Sequence, residues 1–257
     1  MSHLAPVTLS SPRFAAPVSL TLVASTTAPP RPASARRTTI ALKLLMAGTG
    51  LVFVGFVLLH MYGNLKALQG QEAFNTYAEH LRTIGEPMLP YGGVLWIVRI
   101  VLLVSLVGHG YAAFSLWARA GNARRTKYAA ARTAMRTAWM RWGGVAILLF
   151  LIWHLLQFTI LKVSVNPDAT GPNVENNPFA LLVATFQVPW MTLVYVLAMI
   201  ALGLHLWHGV FSAQQTLGWT GNPAAYRRAK GIGLVTAVVI AGGFLLPPLA
   251  IAFGLIK

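Results

Sequence analysis

The sequence predicts an all-α membrane protein, a bundle of five transmembrane helices with the N-terminus in the cytoplasm and the C-terminus outside. Composition is the first ground for this. Of 257 residues, 56% are hydrophobic and 10% are charged, against roughly 25% charged in an ordinary soluble domain, and the mean hydropathy is +0.63. That leaves too little polar surface to cover so much apolar side chain in water, and the same balance excludes a disordered chain. The second ground is pattern: five apolar runs reach the length, about 20 residues, that a helix needs to cross a bilayer. The third is charge placement. An excess of 20 Lys and Arg over 5 Asp and Glu would point to nucleic acid in a soluble protein. Here the charges fall in the gaps between apolar runs, where membrane topology accounts for them and no nucleic acid is expected.

Residues 1–39 are rich in Pro, Ala, Ser and Thr and read as a mobile cytoplasmic tail. Arg13 followed by residues 14–24 has the outline of a secretory signal, but Pro17 interrupts its apolar part. Residues 40–257 read as the membrane domain. Its spans are placed at 40–61, 92–117, 142–161, 191–211 and 231–256, all helical because an isolated span must satisfy its own backbone hydrogen bonds. Gly242-Gly243 and Pro247-Pro248 predict a kink toward the far end of the fifth. The loop at 64–90 contains an amphipathic stretch around 74–84, expected along the membrane surface.

Charge orients the bundle. Fifteen of the 20 basic residues lie on one side: Arg13, Arg31, Arg36 and Arg37 before the first span and Lys43 in its first turn, seven from Arg119 to Arg141 between the second and third, and Arg227, Arg228 and Lys230 between the fourth and fifth. All five acids, Glu72, Glu79, Glu86, Asp168 and Glu175, lie on the other. The positive-inside rule puts the basic side in the cytoplasm. Cysteine is absent, so no disulfide, thiol nucleophile or self-supplied iron–sulfur site is available.

The chemistry-bearing residues are histidines. Of seven, His3 and His80 read as solvated. His60, His109, His154, His205 and His208 fall within or at the edges of four different spans, where a polar ring is costly and usually functional. Alternating span direction sorts them by depth into an outer pair, His60 with His154, and an inner group, His109 with His205 and His208. Two imidazoles from facing helices at matched depth can supply both axial ligands of a haem iron. Gly48, Gly50, Gly55, Gly108, Gly110, Gly143 and Gly144 would either admit a flat macrocycle or serve close helix packing. Arg99, about two turns into the second span, would either snorkel to the surface or pair with a haem propionate. Tyr111, Ser115, Trp207, His208, Ser212 and Gln214 are polar or aromatic residues near the inner ends of spans two and four that can offer hydrogen-bond donors. Trp117, Trp139 and Trp142 read as an interfacial belt.

The stretches LLHMYGNL, GQEAFNTYAEHL, VRIVLLVSLVGHGYAAFSLWARAGNARRTKY, MRWGGVAILLFLIWHLLQFT and LGLHLWHGVFSAQQTLGW make the chain resemble the membrane-anchoring cytochrome b subunit of bacterial succinate dehydrogenase/fumarate reductase, in its single-polypeptide, five-helix form. The resemblance runs from about Thr39 to the C-terminus. It implies haem ligands at His60 with His154 and at His109 with His205, with His208 as an alternative or additional inner ligand. It further implies haem b, one or two; a quinone, menaquinone in the first instance, whose carbonyls need hydrogen-bond donors and for which Tyr111, Ser115, Trp207, His208, Ser212 and Gln214 are the candidates; and flavoprotein and iron–sulfur partner subunits on the cytoplasmic face of the bacterial cell membrane. The activity implied is succinate:quinone oxidoreduction in the tricarboxylic acid cycle and respiratory chain, with the dicarboxylate site on a partner and a higher-order oligomer open. Three alternatives stand beside it. One is a His/Cys-ligated iron–sulfur cluster at the inner group, with thiolates from the partner. The second is a dihaem cytochrome b anchoring another quinone-linked dehydrogenase. The third is a proton transporter relaying on histidine, disfavoured because no Asp or Glu lies in any span.

Overall fold

A computed structural model describes residues 33–122, 131–161, 163–169, 174 and 176–257. The expected tail lies outside the described residues as far as residue 32; the seven positions after it already belong to the first helix, which begins at Ala33. Among the described residues seven α-helices follow in chain order: α1 (Ala33–Leu65), α2 (Gln71–Thr83), α3 (Gly93–Asn122), α4 (Ala131–His154), α5 (Pro178–Phe186), α6 (Pro189–Thr216) and α7 (Pro223–Ala252). Five of these segments are long and apolar enough to cross a membrane: Thr38–Gln69, Gly93–Ala120, Ala138–Thr159, Pro189–Thr216 and Pro223–Ala252. At 33 residues and about 1.5 Å per residue, α1 outruns a hydrocarbon core of about 30 Å and extends beyond it.

Local chemistry sets the boundaries. Pro223 fills the first turn of α7, where its missing N–H costs nothing, and the Asn222 side chain accepts from Ala225 N at 2.8 Å as the cap. This starts the last span eight residues ahead of its expected position at 231. The helix then continues through Pro247 and Pro248, both buried. Helix α6 ends on Gly218, whose φ of +81° is the left-handed conformation glycine adopts without strain. Trp219 N donates to Gln214 O at 2.9 Å and Gly218 N to Gln215 O at 3.2 Å, the paired bonds that close a helix C-terminus.

Helix α1 packs on α3, α6 and α7; α4 packs on α6; and the α6–α7 seam is the most extensive. Gly233 makes that seam possible, since a Cβ there would meet the Trp207 carbonyl oxygen at 2.6 Å. Between α3 and α4 the described residues form no substantial seam, so the ring of α3, α1, α6 and α4 is open on one side. The outward faces are apolar, with Leu59, Leu103, Val104 and Val238 exposed, as a lipid-facing surface requires.

Two short helices close one end. The amphipathic stretch in the 64–90 loop is α2, and α5 is an additional helix that hydropathy did not separate from its surroundings. Asn75 joins them: its Nδ2 donates to Asn177 Oδ1 at 2.9 Å and its Oδ1 accepts from Phe179 N at 3.1 Å. Beneath this cap, Phe179, Leu182, Val183, Phe186, Met191, Tyr195 and Ile251 form a buried cluster. The third span also departs from a plain α-helix. Beyond His154 the turn Leu155–Thr159 is π-helical, with Ile160 N bonded to Leu155 O at 2.8 Å, a feature that recurs at functional sites.

Candidate haem-ligating histidine pairs

Four histidines meet in two pairs across the diagonals of the ring. His60 of α1 faces His154 of α4, with ring centroids 5.9 Å apart and planes at 75°. His109 of α3 faces His205 of α6, with centroids 6.3 Å apart and planes at 58°. With metal–nitrogen bonds of about 2 Å on each side, either separation admits one metal ion between the rings. Among the described residues no three His, Cys, Asp or Glu side chains gather to hold a bare ion. The two-imidazole arrangement therefore suits a metal whose other positions are filled by its own macrocycle.

Two helices measure the spacing independently. On α1, Gly50 lies against His109, ten residues before His60. On α4, Gly144 lies against His205, ten residues before His154. At about 1.5 Å per residue, both give about 15 Å between the pairs along the bundle. The His60–His154 pair lies toward the end capped by α2 and α5.

The inner pair has a cradle. A Cβ at Gly50 would stand 3.4 Å from His109 Cε1, and one at Gly144 would stand 3.6 Å from His205 Cε1. Any larger side chain there would crowd the rings. Gly108 instead serves helix packing against Leu45 and Thr49, while Gly48, Gly55, Gly110 and Gly143 face open space. The two roles considered for the glycines are thus divided among them. His205 Nδ1 is buried without a hydrogen-bond partner, and a buried polar atom of this kind calls for one. On the opposite ring, Thr49 Oγ1 donates to Leu45 O at 2.7 Å. Its hydrogen spent, it accepts from His109 Nδ1 at 3.1 Å, which leaves Nε2 with its lone pair.

The outer pair sits among aromatic rings. Phe56 stacks on His60 at 5.4 Å and Phe244 lies 5.6 Å away; Phe150, Phe158 and Tyr195 surround His154. Arg99 is on the exposed face of α3, its guanidinium 4.9 Å over the Trp96 ring. His208 is half-buried one turn beyond His205. Of the other quinone candidates, Tyr111 and Trp207 are exposed, Ser115 and Ser212 are half-buried, and Gln214 is buried. Gln214 Nε2 donates to Val210 O at 3.1 Å and Ala229 O at 3.3 Å, which ties α6 to α7. At the ends of α3 and α4, Arg141 lies 5.1 Å over Trp117, which meets Trp142 edge-on, an arrangement suited to a membrane interface.

Sequence reasoning passed over Thr49, Gln157, Thr185 and Tyr195. Gln157 and Tyr195 carried a signal, being polar groups within apolar spans.

Comparison with known proteins bears on this geometry. The model of the succinate dehydrogenase/fumarate reductase transmembrane subunit family matches residues 116–243, a stretch holding His154, His205 and His208. The succinate dehydrogenase cytochrome b558 subunit of Bacillus subtilis (strain 168) is 25% identical over 197 residues, covering 74% of this chain and 86% of that one. No solved structure gives a match.

Proposed function

Because the chain belongs to the succinate dehydrogenase/fumarate reductase transmembrane subunit family, we propose that it delivers electrons from an iron–sulfur partner subunit to membrane quinone while anchoring the assembly. The observation that carries this reading is the pair of imidazole pairs, 5.9 and 6.3 Å between centroids, stacked along the bundle. His109 and His205 would hold one haem b, and His60 and His154 a second. Haem b bound at these pairs would supply one-electron chemistry, its potential tuned by the imidazoles and their hydrogen bonds.

The chain's own residues do the rest. Gly50 and Gly144 leave room beside the inner rings, and Thr49 fixes the His109 tautomer. The basic side, with Arg119, Arg141, Arg227, Arg228 and Lys230, faces the cytoplasm and receives the flavoprotein and iron–sulfur subunits together with anionic lipid. His208, Ser115 and Ser212, with Tyr111 and Trp207 nearer the lipid, offer donors to quinone carbonyls at that end. Arg99 can exchange its Trp96 contact for the carboxylate of an outer haem propionate, which its planar fork suits. The assembly resides in the bacterial cell membrane.

The test is the composition of the purified assembly. Flavoprotein and iron–sulfur subunits should co-purify with this chain, and haem should stand at two per flavin, reduced by succinate with a b-type spectrum. An assembly without haem, or one whose inner histidines carry acid-labile sulfide, would remove the reading.

A further inference from the structure

Beside the outer pair runs a closed line of buried polar side chains. Gln157 Nε2 lies 3.5 Å from Thr185 Oγ1, to which it donates, and Gln157 Oε1 faces Tyr195. Tyr195 donates its hydroxyl hydrogen to that oxygen at 3.0 Å. A tyrosine hydroxyl has one hydrogen, so toward His154 Nδ1, 3.2 Å away, the same oxygen can only accept. The exposures of Gln157, Thr185 and Tyr195 are 2%, 0% and 7%, and the rings of Phe150, Phe158 and Phe186 pack around Tyr195. Water is not available to replace a lost partner. The π-helical turn after His154 carries Gln157, the link from which the rest takes its direction.

We propose that Thr185, Gln157 and Tyr195 are positioning residues that hold the His154 proton on Nδ1 and so present the Nε2 lone pair to a metal at the outer pair. The inference rests on the reading that His60 and His154 hold a haem. Thr49 plays the same part for His109 on the inner side, a two-residue version of the outer device. Polarity is what the line contributes. Without Gln157, the Tyr195 hydroxyl is released to donate to His154 Nδ1, which moves the ring hydrogen to Nε2, where it opposes ligation. Without the Tyr195 oxygen, Nδ1–H loses its acceptor, the imidazole becomes a poorer electron donor, and ligation survives.

The ordering that follows is unusual: the remote residue matters more for retention than the adjacent one, and removing both undoes part of the damage. The complete assembly carrying Tyr195→Phe, Gln157→Leu or both is titrated potentiometrically, and haem loss to an external scavenger is timed. Tyr195→Phe should retain both haems and shift the reduction equilibrium of the outer one about ten-fold toward the reduced form, which is about 59 mV for a one-electron couple. Gln157→Leu should loosen the outer haem by about 10–100-fold, and the double variant should return to the retention of Tyr195→Phe.

An unchanged outer-haem potential in Tyr195→Phe overturns the proposal. So does a double variant that loses haem faster than Gln157→Leu, as a packing role alone would produce. If Gln157→Leu does not assemble, the potential in Tyr195→Phe decides. Failure of the underlying reading shows separately: a His60→Ala assembly with an unchanged haem count means that no haem lies at the outer pair, and the inference falls with it.

Discussion

Replacing His109 or His205 with alanine is expected to abolish quinone reduction by succinate while dye reduction by the partner subunits continues. The two rings come from α3 and α6 and meet at 6.3 Å, so either substitution removes one of the two proposed haem ligands. Loss of an outer-shell partner alone commonly costs about 10–100-fold at a metal site, and loss of the ligand itself should exceed that. The inner haem should disappear from the reduced spectrum with the outer one retained. Parallel assays with quinone and with an artificial dye measure the split. Full quinone activity in both variants would take the inner pair out of the electron path. In His109→Ala the His205 ring left behind has a buried, partnerless Nδ1, which adds a stability cost of about 1–3 kcal/mol and makes subunit assembly a necessary control, whereas in His205→Ala the His109 ring keeps its bond to Thr49 Oγ1.

A substitution that leaves every histidine in place should do nearly as much harm. Gly144→Leu is expected to lower the haem content from two to one per assembly, with the inner haem lost. A Cβ at this position stands 3.6 Å from His205 Cε1, an ordinary contact distance, so Gly144→Ala should be tolerated with a small effect. Leucine adds three more carbons in the space beside the ring, and the helix backbone cannot withdraw without disturbing the α4–α6 packing. Overpacking of this kind commonly costs about 1–3 kcal/mol, and here it falls on the approach to His205. Haem quantified against flavin in the two variants checks the contrast. Two haems retained in Gly144→Leu would show that the glycine serves helix packing and not the site.

The five spans were legible because a bilayer imposes a length and a composition on any helix that crosses it, and both can be read from sequence. The histidine pairing was legible for a related reason. Alternating span direction converts position in sequence into depth, and depth alone separates His60 and His154 from His109 and His205. The cap of α2 and α5 was only half legible. Amphipathic periodicity marks α2, but α5 is buried on nearly all sides and shows no contrast between faces. Its register depends on Asn75, about a hundred residues away in sequence, which bonds Asn177 and Phe179. The π-helical turn after His154 depends on hydrogen-bond geometry that has no period in the sequence. The hydrogen-bond partners of the rings were illegible for the same reason. Thr49 and Tyr195 reach their histidines from other helices, and nothing in hydropathy says which way a hydroxyl turns.

The role of the glycines became decidable only in three dimensions. Seven flank the histidine-bearing stretches in sequence, yet only Gly50 and Gly144 approach a histidine ring, while Gly108 packs on α1. The alternative of a histidine-based proton transporter, already disfavoured by the lack of Asp and Glu in the spans, loses further ground to the family match, which spans the helices carrying His154, His205 and His208.

The central claim is that imidazoles from separate helices converge on a redox metal at two levels of the bundle. A cryo-EM map of the intact assembly tests it most directly. The account predicts flat density between His109 and His205 and between His60 and His154, with one ring nitrogen of each histidine joined to its centre. Rings turned away from one another, with lipid or side chain filling the space between them, would contradict it.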